Sequence, residues 1–226
     1  DVLVEAMSQV SERLGWNIKA YCVGGLSMIF LRAKDTTKDV DIVFRSKKDA
    51  EEFIKAAKEL GFTSKEDLPE EYLDLKTIVV LRRPDDVRFD IFVDKVCDKL
   101  TYTDSMKSRA QKIPVRGKLS FHYSSAEDIF LFKAITTRPD DLIDMSTLAQ
   151  KELDWGIIEM EVRSQPDSLE WIGKLFGGLQ DLKDRFDITS PLLHTLRKDA
   201  DISQGFGILR IRLESGTLRV SEAHEL

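Results

Sequence analysis

The sequence predicts an α+β fold: a mixed β-sheet flanked by helices, followed by a C-terminal helical region. Three observations carry this. Strand-like runs at 17–23, 39–44, 76–82 and 87–93 all fall in the first 120 residues, helical periodicity with capping signals dominates from Ser124 onward, and 42% of the 226 residues are hydrophobic, enough for a sizeable core. The expected organisation is a catalytic domain over 1–120 and a helical domain over 121–226.

Taken in order, Leu3, Ala6, Met7, Val10 and Leu14 recur at helical spacing, and Gly15 ends that helix. Asn17–Val23 reads as a strand ending at Gly24-Gly25, and a short helix follows through Leu26–Leu31. Asp35–Lys38 is a turn before the strand Asp39–Phe44. Ser46 is a good N-cap. The helix behind it carries Ala50, Phe53, Ile54, Ala57 and Leu60 on one stripe, with Gly61 at its C-cap. An acidic loop near 65–71 precedes the strands 76–82 and 87–93, joined by the turn Arg83-Pro84-Asp85-Asp86. The stretch 94–119 reads as mixed loop and short strand. Ser124 or Ser125 caps the next helix, with Asp128 in the capping-box place for Ser125; Pro139 breaks it, Asp140–Gln150 makes another, and Asp154 can cap a third. Gln165-Pro166-Asp167 reads as a linker, ahead of helices near 168–185 and 191–198.

Composition narrows the function. The balance of 34 bases and 40 acids leaves a net charge of −6, so any nucleic-acid contact rests on a local patch rather than bulk charge. No apolar run approaches the roughly 18 residues of a membrane span, and Asp1–Glu5 shows no leader pattern. Cys22 and Cys97 make no disulfide framework or zinc set, which suits a reducing cytoplasm. The three histidines, His122, His194 and His224, lack ligand spacing.

The informative residues are acids. Positions i and i+2 of a strand face one side, so Asp39 and Asp41 point together, with Val40, Ile42 and Phe44 opposite. Arg88, Asp90 and Phe92 likewise share a face against Phe89, Ile91 and Val93. If the strands are neighbours, three carboxylates converge. Such a group favours divalent cations bridging to substrate phosphates, a chemistry that needs no His or Cys nucleophile. The bland alternative is a wetted strand face. The turn Val23-Gly24-Gly25, with Ser27 behind it, shifts the balance, because glycine lets a phosphate approach the backbone, and it stands 14 residues before the Asp-x-Asp strand.

Gly24-Gly25, then Asp39-Val40-Asp41, then Asp90 resemble the nucleotidyltransferase superfamily that includes DNA polymerase β. More narrowly, Val23–Ser27 followed by Thr37–Val43 is similar to small prokaryotic nucleotidyltransferases akin to the AbiEii toxins of type IV toxin–antitoxin systems, with Asp35 in the place where those carry Arg. Ser125–Lys133 followed by Arg138–Asp144 resembles their helical region. The resemblance spans roughly Tyr21 to Trp155 and implies a nucleotidyltransferase-like sheet. It implies two Mg²⁺ ions, with Mn²⁺ as substitute, on Asp39, Asp41 and Asp90. Gly24, Gly25, Ser27 and Lys133 would bind the nucleotide, and Asp141 and Asp144 would make structural pairs.

The implied reaction moves an NMP from an NTP to a hydroxyl of RNA (tRNA) or protein in the cytoplasm, with an antitoxin as partner and no membrane. Two alternatives stay open: a catalytically inactive nucleotide- or partner-binding module, and a small-molecule transferase of the aminoglycoside-modifying kind. Lys34 and Lys38 flank the carboxylates but read more simply as a charged turn. Arg88 reads either as a phosphate contact or as an ion-pair partner of Asp90 or Asp86. Trp155 and Trp171 read as core, Phe176-Gly177-Gly178 as a packing notch, and His194 as structural.

Overall fold

A computed structural model describes residues 2–64, 79–136 and 138–214, with side chains described through Gly207 in the last helix. The elements run α1 (Val2–Arg13), β1 (Ile18–Val23), α2 (Gly24–Phe30), β2 (Asp39–Phe44), α3 (Lys47–Glu59), β3 (Thr63–Ser64), β4 (Val79–Arg82), β5 (Arg88–Val93), β6 (Lys95–Val96), β7 (Leu100–Thr101), α4 (Asp104–Arg109), β8 (Gln111–Ile113) and β9 (Leu119–Tyr123). Helices α5 (Ala126–Thr136), α6 (Pro139–Ala149), α7 (Trp155–Ser164), α8 (Ser168–Phe186), α9 (Leu192–Thr195) and α10 (Arg197–Glu214) follow.

Seven strands form one sheet in the order β3-β4-β5-β2-β1-β9-β8, and β6 and β7 make a separate hairpin. The sheet is mixed. β2 runs parallel to β5 and β1 parallel to β9, whereas β1 and β2 are antiparallel, as are β4 and β5. The fold is thus the expected α+β sheet with helices on its faces and at its C-terminal end. Among the described residues no helix is long and apolar enough to cross a membrane.

Strand alternation divides the core in two. Val40, Ile42 and Phe44 of β2 join Phe89 and Ile91 of β5 beneath α1 and α3. A run of rings ties this side together: Phe44 to Phe53 at 5.2 Å, Phe53 to Phe89 at 5.5 Å and Phe89 to Phe62 at 4.6 Å. Each such buried ring is worth about 1.5–3 kcal/mol against exposure. Tyr21, Val23, Val43 and Phe92 face the other way and share a cluster with Phe130, Phe132, Trp171 and Leu175. The face that carries Asp39 and Asp41 is therefore also roofed by helices beyond its polar end.

Local chemistry accounts for the boundaries. Ser46 Oγ accepts the Asp49 N–H at 3.1 Å and starts α3, while Ser125 Oγ accepts the Asp128 N–H at 3.3 Å beside α5. Asp154 caps α7 by accepting from the Gly156 and Ile157 N–H groups. Trp155 packs edge-on to Phe130 at 5.3 Å. Gly178 is a packing notch, because a Cβ there would stand 3.2 Å from Met145 Cε. The turn from Arg83 to Asp86 joins β4 to β5, with the Arg83 N–H donating to the Val87 carbonyl at 3.0 Å.

Some expectations change. Gln165-Pro166-Asp167 is a pinned turn rather than a linker: the Gln165 amide brackets Thr101, accepting its N–H at 2.8 Å and donating to its carbonyl at 3.0 Å. The helix expected near 191–198 is the four-residue α9, and α10 follows it at once. His194 lies exposed rather than in the apolar layer. The strand expected over 76–82 is described from Val79 onward, and the acidic loop 65–71 lies outside the described residues.

Candidate active site

Strand register assembles the acids. Asp41 on β2 pairs with Asp90 on β5 and with Val23 on β1, and Asp39 pairs with Arg88. Positions 49 apart in sequence thus become neighbours, with Asp39 two residues along the same face. The chain then turns into α2 at Gly24, whose φ is +69°. That turn presses on the acids: a Cβ at Gly24 would stand 2.2 Å from Asp41 Oδ2, and one at Gly25 would stand 2.5 Å from Thr37 Oγ1. Glycine is required at 24 for both its conformation and its closeness to Asp41.

The electrostatics follow from burial. Burial, with the Asp90 charge adding, pushes the Asp41 carboxyl up to about 7, while Arg138 and Lys133 pull against that rise. Burial also raises the Asp90 carboxyl, against the pull of its Arg88 partner. Arg88 donates from Nε to Asp90 Oδ1 at 2.6 Å and from Nη2 to Asp90 Oδ2, and its Nη1 lies 3.7 Å from Asp39 Oδ2. Arg88 is thus an ion-pair partner of Asp90. Its place at the centre of the acids follows from its position two residues before Asp90 on one strand.

The remaining expected residues lie around this core. Ser27 is fully buried, and its hydroxyl donates to the Cys22 carbonyl at 2.7 Å. Lys133 is buried and bridges Asp141 Oδ1 at 2.8 Å and Asp144 Oδ2 at 2.6 Å, so Asp141 and Asp144 are structural partners. Lys34 reaches Asp144 Oδ1 at 3.3 Å, and Lys38 makes an exposed pair with Asp86 at 3.5 Å. Cys22 and Cys97 are free and buried, and burial raises both thiols, Cys97 to about 12. Sequence reasoning gave no role to Arg138, which stands at the N-cap position of α6, donates its backbone N–H to Asp141 and acts electrostatically on Asp41. Its signals are its place at the head of the Arg138–Asp144 resemblance and the interval of three to Asp141, the N3 acid that accepts its backbone N–H.

The donor set can be tested against a divalent ion. Mg²⁺ is commonly held by one or two carboxylates together with substrate phosphates. Asp39 and Asp41 meet that need on one face of β2, with the bare backbone of Gly24 close against Asp41. Both oxygens of Asp90 are engaged by Arg88. Among the described residues no three His, Cys, Asp or Glu side chains surround a common ion position. The described arrangement therefore fits one ion on Asp39 and Asp41 and commits Asp90 to Arg88. A groove of about 1350 Å³ opens elsewhere, between α8 and α10, bordered by Lys174, Arg197 and Phe206 and by none of these carboxylates.

No curated protein matches the chain. Among solved structures it is similar to the antibiotic-resistance factor ANT(2'')-Ia, known from a solution structure, at 14% sequence identity and a TM-score of 0.47, over 70% of this chain and 86% of that one. Residues 2–174, which hold the whole sheet and the helices through the first part of α8, match the family described as "Nucleotidyltransferase of unknown function (DUF6036)", and the chain belongs to that family.

Proposed function

We propose that the protein transfers a nucleoside monophosphate from an NTP to a hydroxyl of an RNA or protein acceptor and releases pyrophosphate. The observation that carries this is the register of Asp41 against Asp90, with Asp39 beside them and Gly24 pressed onto Asp41. The acceptor oxygen forms a bond to the α-phosphorus, and the bond from that phosphorus to the bridging oxygen of pyrophosphate breaks. Asp39 and Asp41 would hold Mg²⁺, or Mn²⁺ in its place, and the ion would supply neutralisation of phosphate charge and polarisation of the reacting phosphorus. A second ion requires an Asp90 oxygen released from Arg88.

The chain's own groups do the rest. Gly24 and Gly25 let the backbone pass close against Asp41 and Thr37, so phosphates held at Asp41 would lie beside this turn. Ser27 steadies that turn through the Cys22 carbonyl. Lys133 lends positive charge from behind while it holds Asp141 and Asp144. Asp90 would accept the proton of the attacking hydroxyl once one of its oxygens is released from Arg88. Arg88 keeps Asp90 oriented and offsets the negative charge of the group.

The test is transfer of label from each α-labelled NTP, with Mg²⁺, to total tRNA or to lysate proteins. The expected result is labelling of one acceptor class by the native protein and a loss of about a hundredfold or more in Asp41→Asn, in the range of lost acid–base groups. No labelling with any NTP, or equal labelling by D41N, would sink the proposal. A toxin role, with an antitoxin as partner, predicts growth arrest on expression that Asp39→Ala relieves. Arrest that persists in D39A refutes it.

A further inference from the structure

The turn between α5 and α6 brings together three cations that share two carboxylates. Asp141 accepts from Lys133 Nζ at 2.8 Å, from Thr136 Oγ1 at 2.6 Å, and from the Arg138 backbone N–H at 3.0 Å and Nε at 3.3 Å. Asp144 is shared by Lys133 and Lys34. Two carboxylates thus serve three cations. Lys99 adds a fourth: its ammonium donates to the Ile135 carbonyl at 3.5 Å, at the end of α5, and no carboxylate among the described residues lies within ion-pair distance of it.

Arg138 is the distinctive member. Its Nε rests on Asp141, which is itself buried and anchored by Lys133 and Thr136. Its side chain is 53% exposed, and neither Nη group bonds any described residue. The guanidinium therefore has a fixed inner edge and an open outer fork. Its charge acts on both Asp41 and Lys99. Burial, then the neighbouring charges of Lys174 and Arg138, hold the Lys99 ammonium below its ordinary value, against the opposing pull of Cys97 and Asp141. Like charges kept together in this way are relieved by an anion.

We propose that Arg138 and Lys99 form a phosphate-binding site at the turn between α5 and α6, where Lys99 reaches the end of one helix and Arg138 opens the next. A planar guanidinium with two free N–H edges matches two phosphate oxygens, and an ammonium beside it adds a point charge. Anchoring on Asp141 removes part of the ordering cost of binding. The phosphate comes either from the triphosphate of the NTP or from a phosphodiester of the acceptor. A role in transfer rests on the function proposed above, whereas phosphate binding itself does not.

The experiment uses the full chain and the variants Arg138→Gln, Lys99→Gln, the double variant and Arg138→Lys. Inorganic tripolyphosphate with Mg²⁺ is titrated calorimetrically, and bulk tRNA binding is followed against salt. A nucleotide source predicts tripolyphosphate binding weakened about tenfold or more in R138Q and further in the double variant, with partial recovery in R138K. An acceptor source predicts unchanged tripolyphosphate binding and a tRNA log–log salt slope shallower by about one per lost contact. Either result supports the site. Native protein that binds neither probe, or a double variant that melts like the native protein and binds both probes unchanged, overturns it. Loss of transfer in D41N is read separately, so failure of this site and failure of the proposed reaction remain distinguishable.

Discussion

Arg88 grips both carboxylate oxygens of Asp90 two residues along the same face of β5, and both side chains are almost wholly buried. The pair makes the most enclosed part of the acid group self-compensating. Arg88→Gln leaves the Asp90 charge buried without its main partner, and the expected cost is about 3–5 kcal/mol in urea unfolding. The double variant Arg88→Gln, Asp90→Asn should recover much of that loss. An R88Q protein as stable as the native one would show that the pair does not sustain the sheet here.

Gly24 and Gly61 separate two reasons for a glycine. Both have positive φ, +69° and +85°, but only a Cβ at Gly24 meets a neighbour, Asp41 Oδ2 at 2.2 Å, while nothing lies within 4 Å of Gly61. Gly61→Ala should cost about 1–2 kcal/mol in thermal unfolding and leave transfer unchanged. Gly24→Ala should cost at least as much and also reduce transfer by about a hundredfold or more, because Asp41 must move. Equal activities in the two variants would contradict this.

Two glycines of α8 should respond in opposite directions. Gly177 has open space around its Cα, so Gly177→Ala should stabilise the protein by about 0.5–1 kcal/mol through helix propensity. At Gly173 a Cβ would stand 2.4 Å from Ser203 Oγ and 3.1 Å from Ser203 Cβ, where α10 crosses α8. Gly173→Ala should destabilise by about 1–3 kcal/mol. Denaturant midpoints of the two variants decide it, and a shift in the same direction for both would refute the crossing.

Asp141 links stability to pH. Burial works against its charge, but Lys133 and Arg138, with hydrogen bonds from Lys133 and Thr136, outweigh burial and hold the carboxyl below its ordinary 3.8. A carboxyl lowered in the folded state adds stability above its unfolded value and loses it as pH falls through the folded one. Asp141→Asn should therefore be less stable than the native protein at pH 7, with the gap closing as pH falls below about 3.8. Urea midpoints at several pH values test this, and a gap that stays constant with pH would refute it.

Short-range pattern in the sequence was sufficient for β2, β5 and the capped helices, because alternation and caps are properties of adjacent residues. Ser46, Ser125 and Asp154 each cap as their neighbours predict. The stretch 94–119, read as loop and short strand, also holds the six-residue helix α4 capped by Thr103; it resisted reading because its elements are only two to six residues long, and Asp94, Cys97 and Asp98 adopt positive φ without a glycine to signal the bends. Gln165 looked like part of a linker because its bracket on Thr101 spans 64 residues. The acids pointed to one another, but whether Asp90 was free or gripped by Arg88 depended on side-chain geometry. Arg138 was missed because only tertiary packing brings its charge to bear on Asp41.

The pairing of β2 with β5 binds chemistry and folding to one coordinate. A slip of β2 by a single residue would turn Asp39 and Asp41 into the layer now filled by Val40, Ile42 and Phe44, beneath α1 and α3. Two charges would enter an oily layer and three apolar side chains would leave it, so such a near-native imposter is heavily penalised. Molecules that reach the compact state therefore carry their acids correctly aligned, and quality control of the fold doubles as quality control of the site.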